Sequence, residues 1–154
     1  MYRLAASAGT LDVNSSYHYL LLCHKFSSTC VVGACGGDLI SFLTAFRDPG
    51  QLNNLFIWQI AVHAGFRGRG VARGMLEHLL GRDFTPGIEF IETTITPSNQ
   101  ASQKVFRTFA AEHRWELQEK VLFSEDQFPG GNHEPEVLFR IGPLITHAQG
   151  KNQL

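Results

Sequence analysis

The chain has 154 residues, 44% of them hydrophobic and 18% charged, and a net charge of −1. This length predicts one domain that can bury a sizeable core. The near-neutral charge gives no electrostatic reason to expect nucleic acid or an anionic membrane as a partner, and no apolar run reaches the ~18 residues that a transmembrane helix needs. The N-terminal residues lack the apolar core of a secretory signal, so we expect a cytoplasmic protein.

Hydrophobic periodicity and turn residues predict helices and then strands in the first half of the chain. A short helical segment is expected to end at Gly9, and Ser15 or Ser16 is placed to cap the next helix. Gly36–Asp38 predicts a hairpin turn between two strands. The predicted elements are a helical segment over 1–8, a helix over 17–26 and strands over 29–35, 39–46 and 55–62.

The second half adds two further helices and three strands. Pro97–Asn99 is expected to cap a helix, and the strand–helix–strand order over 55–95 predicts a right-handed crossover between parallel strands. The long polar segment over 123–135 is expected to be a functional loop. The predicted elements are helices over 71–80 and 100–111 and strands over 88–95, 115–123 and 136–141, with a loose tail over 144–154. The pattern predicts an α/β domain with a single mixed sheet flanked by helices, over 1–143.

A glycine-rich loop follows the strand over 55–62 and opens a helix. Gly68 and Gly70 allow positive φ, and Arg67 and Arg69 add positive charge. Such a loop turns unpaired N–H groups and the positive end of the helix dipole towards one point, which favours a phosphate-bearing ligand. A tight turn with no ligand needs the same residues, so both interpretations stay open from the loop alone. Neither the Gly-x-Gly-x-x-Gly pattern nor the P-loop pattern is present.

Cysteine and histidine spacing gives no sign of a metal site or a disulfide framework. Cys23, Cys30 and Cys35 form no Cys-x-x-Cys pair, and the 7 histidines show no His-x-x-x-His spacing. We therefore expect small, buried, reduced thiols and no metal.

Two separated blocks resemble the GNAT (GCN5-related N-acetyltransferase) superfamily. Arg67–Ala72, with the spacing Arg-x-x-Gly-x-Ala, is similar to its loop for the pyrophosphate of acetyl-CoA, and Trp58–Val62 is similar to the strand that pairs with pantetheine. Thr94–Asn99 with the following helix is similar to the second block, whose asparagine contacts the cofactor. The resemblance implies a GNAT fold that binds acetyl-CoA. It implies contacts from Ile60, Ala61, Val62, Arg67, Gly68, Arg69, Gly70, Val71, Ala72, Asn99, Ser102 and Phe106.

A narrower resemblance covers nearly the whole chain, from Gly9 to Pro143. The segments 12–23, 55–62, 92–99 and 138–143 resemble the L-2,4-diaminobutyrate acetyltransferases of ectoine biosynthesis. This family acetylates the γ-amino group of diaminobutyrate, and an ectoine synthase cyclises the product to an osmoprotectant. The resemblance implies acetyl-CoA as donor, a small diamino acid as acceptor, a homodimer and no metal. By the family pattern, a first strand and most of a first helix are missing before Met1.

The reaction needs an amine that has lost a proton, a donor held in line and a hydrogen bond for the developing oxyanion. The resemblance assigns the pantetheine and oxyanion contacts to the backbone around Ile60 and Val62. Glu92 is a candidate base, because it shares a strand face with Thr94, where some relatives have a glutamate; a surface carboxylate at a strand edge is the alternative. Many relatives protonate the leaving thiolate with a tyrosine that has no counterpart here, so we expect the thiolate to leave unassisted.

The charges of a small diamino acid indicate what would hold it. Asp12 suits the α-ammonium and His133 the carboxylate, Tyr17 and Trp58 can wall the aliphatic stem, and Glu92 is the fifth expected contact. The family resemblance supports this set, with Tyr17 also a candidate catalytic residue. Each also has a structural interpretation: Asp12 as a turn cap, Tyr17 and Trp58 as core residues, and His133 as a loop residue at the surface.

Two other functions remain open at the level of sequence. The acceptor of a GNAT enzyme could be another amine, such as a polyamine, an aminoglycoside or a protein N-terminus. The missing tyrosine also permits an acyl-CoA-binding sensor without catalysis. A nucleotide-binding module is the least favoured, because neither nucleotide fingerprint is present.

Overall fold

The computed structural model describes residues 1–9, 11, 13–83, 85, 87–131 and 133–144. Its strands form one 6-stranded sheet, in the spatial order β1-β2-β3-β4-β6-β5. The strands are β1 (Val31–Cys35), β2 (Asp38–Arg47), β3 (Asn54–Val62), β4 (Phe90–Ile95), β5 (Leu117–Phe123) and β6 (Glu136–Ile141). The α-helices of the described residues are α1 (Tyr2–Ala8), α2 (Ser16–Lys25), α3 (Val71–Leu80) and α4 (Gln100–His113). Apart from Leu144, the predicted tail lies outside the described residues.

The mixed sheet predicted from the sequence is confirmed. β3 and β4 are parallel, joined through α3, and the other neighbouring strands pair antiparallel. β4 begins two residues later than predicted because the Ile88 N–H donates to the Thr85 carbonyl at 2.9 Å and closes a turn. β5 also begins late, because the Trp115 N–H donates to the Ala110 carbonyl at 3.0 Å and completes the end of α4.

The caps that the sequence predicts fix the starts of two helices and the end of a third. The Ser15 side chain accepts the His18 N–H at 3.3 Å and starts α2, and the Asn99 side chain accepts the Ser102 N–H at 3.2 Å and starts α4. Gly9 ends α1 at φ 73°, a conformation that glycine adopts without steric penalty. The two side-chain caps satisfy backbone N–H groups that the start of a helix otherwise leaves unpaired.

Helices cover both faces of the sheet, so the fold has three layers. On one face, α3 and α4 bury Leu76, Leu79, Phe106 and Phe109 against the central strands. On the other face, α1 and α2 form a smaller cluster with the sheet, made of Leu4, Ala5, Tyr19, Phe42 and Ala61. Alternation of side chains along each strand supplies both clusters from the same strands.

The cysteines depart from the prediction. All are free, but Cys23 and Cys35 are exposed, so the prediction of buried thiols is wrong for them. Cys35 ends β1, which is an edge strand, and the edge has less cover than the inner strands. Only Cys30 is partly buried, and that burial raises the pKa of its thiol.

Two kinds of feature are absent from the residues that the structure describes. No helix there has both the length and the apolar content needed to cross a bilayer. No three side chains of the His, Cys, Asp and Glu types are grouped there in a way that would hold a metal ion.

Candidate active site

A β-bulge at Trp58 interrupts the pairing of β2 with β3. Thr44 lies opposite Gln59, but the next residue of β2, Ala45, lies opposite Ile57. Trp58 is therefore the extra residue of the bulge. Bulges of this kind occur next to active sites, where they redirect a side chain and reverse the facing of the strand.

The change of facing along β3 shows in which of its residues pack into the hydrophobic cluster on each side of the sheet. Before the bulge, Leu55 and Ile57 pack against α3 and α4. After it, Ile60 and Val62 pack on that side, while Ala61 joins the cluster under α1 and α2. An uninterrupted strand would have kept the odd-numbered residues on one face throughout. No feature of the sequence signalled this change.

β3 also separates from β4 close to the bulge. The two strands pair at three positions only, ending at Phe56 and Glu92. The His63 N–H donates to a β2 carbonyl at 2.8 Å, so the N–H groups of Ile60 and Val62 point the other way, towards the gap left by β4. The gap thus presents backbone donors to a ligand in the plane of the sheet.

A cleft of about 540 Å³ opens on the α3/α4 side of this gap. It is lined by the end of β3, the glycine loop and the facing sides of α3 and α4. Every residue that the sequence assigned to acetyl-CoA lines it except Arg69 and Phe106. Phe106 is 1% exposed and packs in the core, and the Arg69 guanidinium lies 5.4 Å from the centre of the Phe66 ring.

The glycine loop has the backbone geometry that its sequence predicted. Gly68 and Gly70 have φ of 72° and 77°, and a Cβ at either position would meet no atom within 4 Å. Gly70 precedes α3 and provides no side-chain cap. The first N–H groups of α3 therefore remain available to an anion, at the positive end of the helix dipole.

Cations surround the cleft, and sequence analysis identified only some of them. The Arg67 Nε donates to the Val62 carbonyl at 3.0 Å, which ties the loop to the end of β3. Lys104 and Arg73 also line the cleft, and the Arg73 guanidinium pairs with Glu112 at 3.0 Å, joining α3 to α4. Charged residues on the exposed sides of predicted helices gave no sign of this placement.

The opposite face of the sheet, which carries α1 and α2, presents an aromatic cluster beside the bulge. Trp58 lies 6.0 Å from Phe46 and 5.6 Å from His18 between ring centroids, and Phe46 lies 5.3 Å from Phe56. Trp58 is 47% exposed and Tyr17 is 70% exposed, so the core interpretation is wrong for both. His18 of this cluster was not identified from the sequence.

Glu92 lies on this same face, opposite Phe56, where β3 and β4 part. It is 8% exposed and pairs with Arg140, which lies directly opposite it on β6. The interpretation as a surface carboxylate at a strand edge is wrong, because β4 is an inner strand and the side chain is buried. A buried carboxylate needs such a counter-charge. Arg140 was missed because the pair depends on a register that the sequence does not reveal.

The segment over 123–135 connects β5 to β6 and is held at several points. The His133 ring stacks on Phe128 at 3.9 Å between centroids, and its Nε2 lies 3.8 Å from the Glu136 carboxylate. The Glu134 carboxylate accepts the Ser98 N–H at 2.9 Å and also the Ser98 hydroxyl, which attaches the loop to the start of α4. Asp12, the remaining predicted acceptor contact, lies outside the described residues.

Comparison with known families identifies the family of this chain. The model of the acetyltransferase (GNAT) family matches residues 1–110. The chain belongs to the GNAT family. An L-2,4-diaminobutyric acid acetyltransferase of Shouchella clausii is 46% identical over 144 residues, which cover 94% of this chain and 80% of that protein. One of Streptomyces avermitilis is 45% identical over 146 residues, covering 94% and 82%.

Solved structures agree with this placement. A diaminobutyrate acetyltransferase of Paenibacillus lautus, solved with its substrate L-2,4-diaminobutyric acid and coenzyme A, aligns at a TM-score of 0.91 and 40% identity, covering 94% of this chain and 88% of that one. The ribosomal-protein-S18-alanine N-acetyltransferase of Escherichia coli aligns at 0.65 and 15% identity, covering 99% and 90%, which shows a shared GNAT fold alone. The predicted resemblance to the diaminobutyrate acetyltransferases, which are a family within GNAT, is therefore confirmed.

Proposed function

We propose that this GNAT chain transfers acetyl from acetyl-CoA to the γ-amino group of L-2,4-diaminobutyrate. The observation that carries the proposal is the gap between β3 and β4. A cleft suited to a phosphate-bearing donor opens on the α3/α4 side, and an aromatic and charged face lies on the α1/α2 side. Trp58 and Ile60 are two residues apart on β3, and Trp58 lies on the α1/α2 side while Ile60 lies on the α3/α4 side. Donor and acceptor would therefore meet across the gap.

The residues of the cleft fit the donor substrate. In this proposal the N–H groups of Ile60 and Val62 bind the pantetheine arm and the developing oxyanion, as an additional strand would be bound. The N–H groups around Gly68 and Gly70 and the start of α3 bind the pyrophosphate. Asn99 and Ser102 contribute from the start of α4. Arg69 and Phe106 stay proposed contacts by resemblance only.

The acceptor amine, with an ordinary pKa near 10, must attack as the neutral base. The neutral nitrogen forms a C–N bond to the acetyl carbon as the C–S bond of the thioester breaks, and the proton that the new amide nitrogen sheds goes to the CoA thiolate or to solvent. Before this attack, one ammonium proton leaves to a base. We assign Glu92 to hold the ammonium and accept this proton, because its carboxylate lies at the opening of the gap. The CoA thiol has an ordinary pKa near 8.5, so its thiolate can leave without a protein acid.

Aromatic and polar groups complete the proposed acceptor site. Trp58 walls the aliphatic stem beside the bulge, and Tyr17 on the first turn of α2 and His133 in the loop before β6 are further contacts. Asp12 is proposed for the α-ammonium on the family resemblance alone. The same resemblance supports a cytoplasmic homodimer that serves ectoine synthesis and osmoprotection, with the acetyltransferase domain over 1–143.

The test is the release of CoA from acetyl-CoA in the presence of L-2,4-diaminobutyrate. Because Cys23 and Cys35 are exposed, a thiol reagent should be used with the C23S/C35S variant, or the acetylated product should be measured by mass spectrometry. Release that depends on the acceptor, with acetyl on the γ-nitrogen, is expected. A protein that binds CoA but releases none above the acceptor-free rate would be a sensor, and the proposal would be refuted.

A further inference from the structure

Arg140 occupies a position that the proposed mechanism does not use. It lies directly opposite Glu92 in the β4–β6 register, and its Nη1 donates to the Glu92 Oε1. Its side chain is 26% exposed, compared with 10% for Glu92. One contact occupies only part of a guanidinium that carries five N–H donors, so Arg140 can bind a second carboxylate.

Arg140 lies on the face of the sheet that carries the proposed acceptor site. Residues opposite each other in a ladder share a face, so Arg140 faces the same side as Glu92 and Phe56. Its guanidinium lies 3.8 Å from the centre of the Phe90 ring, which supports the plane of the fork. A fixed guanidinium loses little entropy when it binds a planar carboxylate.

Glu92 and Arg140 together present one anion and one cation side by side. An amino acid carries the complementary pair, an ammonium and a carboxylate. We propose that Arg140 binds the carboxylate of the acceptor, so that the site selects a diamino acid over a diamine without a carboxylate. This inference rests on the proposed function, and it transfers to Arg140 the contact that sequence analysis gave to His133.

His133 is the weaker candidate for this contact. Its Nε2 faces the Glu136 carboxylate and its Nδ1 faces the Glu134 carbonyl, so both ring nitrogens are already engaged, whereas Arg140 has further donors. The guanidinium of Arg140 is a planar fork of N–H donors that matches the geometry of a carboxylate. The geometry therefore favours Arg140.

The test compares two acceptors, L-2,4-diaminobutyrate and 1,3-diaminopropane, which differ by the carboxylate. In the wild type, kcat/KM should favour the diamino acid. Arg140→Gln should lower kcat/KM for the diamino acid about 10- to 100-fold more than kcat/KM for the diamine, the equivalent of a charge-assisted hydrogen bond, because any effect through the unpaired Glu92 is common to both acceptors. Arg140→Lys should recover part of the loss. Arg107→Gln, which removes a guanidinium from an exposed ion pair with Glu119, is the matched control and should change neither.

Two outcomes would overturn the inference: a wild type that accepts both amines equally, or an Arg140→Gln variant that loses both equally, as a residue that only positions Glu92 would. If Arg140→Gln does not fold because Glu92 is left unpaired, calorimetric titration of both amines into CoA-saturated Glu92→Gln and Glu92→Gln/Arg140→Gln compares the two acceptors by their Kd values, without the buried charge and without catalysis. A wild type that releases no CoA with either amine would refute the proposed function instead. Calorimetric titration of both amines into CoA-saturated protein would then still test Arg140.

Discussion

Replacing Trp58 by alanine should separate acceptor binding from donor binding. The side chain projects from the bulge and is 47% exposed, so much of the indole is available to a ligand, whereas the proposed donor contacts of Ile60 and Val62 are backbone groups. The stem of diaminobutyrate has two methylenes, and burying both against the indole is worth about 1.6 kcal/mol at about 0.8 kcal/mol each. The KM for diaminobutyrate should therefore rise by up to about 15-fold while that for acetyl-CoA changes little.

Initial rates with each substrate varied in turn would measure both constants. Trp58→Phe is the matched variant, because it keeps an aromatic wall and should recover most of the affinity. A thermal melt would show whether the bulge survives. Equal increases in both KM values, or the same loss in Trp58→Phe as in Trp58→Ala, would mean that Trp58 supports β3 and does not contact the acceptor.

Three further predictions concern the loop, the thiols and a surface ion pair. Gly70→Ala forces alanine to φ 77°, a strain of about 1–2 kcal/mol, and should lower Tm and CoA affinity. Gly74→Ala inside α3 has free space and should raise the free energy of unfolding by about 0.5–1 kcal/mol; the same Tm and the same CoA affinity in the two variants, measured by calorimetry, would contradict this. Exposed Cys23 and Cys35 should be alkylated before Cys30, whose pKa is raised by burial, as peptide mass mapping over time would reveal. A hydrogen bond from Arg107 lowers the pKa of Glu119, so the stabilisation of the fold by this ion pair is complete above the ordinary glutamate pKa and is lost as the pH falls through the lowered value. The Tm difference between wild type and Arg107→Gln should therefore shrink as the pH is lowered from the ordinary to the lowered pKa.

Local rules predicted those parts of the molecule that depend on adjacent residues. The positive φ of Gly68 and Gly70 follows from glycine chemistry, and the start of α4 follows from the capping side chain of Asn99. The order of strands and helices followed from periodicity, because each element shows its own pattern over several residues. The residues expected to line the donor cleft were assigned to these same segments by the family resemblance.

The parts that could not be predicted depend on pairing between distant segments. The bulge at Trp58 exists only relative to β2, and the Glu92–Arg140 pair joins residues 48 positions apart through the β4–β6 register. Exposure of Cys35 follows from the edge position of β1, which is a property of the whole sheet. Period-two alternation fixes which residues share a face within one strand, but not which residue of another strand lies opposite.

The short pairing of β3 with β4 has a consequence for stability. Beyond Phe56 the sheet lacks ladder hydrogen bonds that an uninterrupted parallel pair would form, and a ligand that lies against this backbone would supply hydrogen bonds in their place. Coenzyme binding should therefore behave as the last step of folding for this part of the sheet. At a concentration of 100 times its Kd, a ligand specific to the folded state adds about 2.7 kcal/mol to the free energy of unfolding. Hydrogen exchange at Ile60 and Val62 should slow by more than this global gain requires, because the ligand would bind N–H groups that β4 does not pair with.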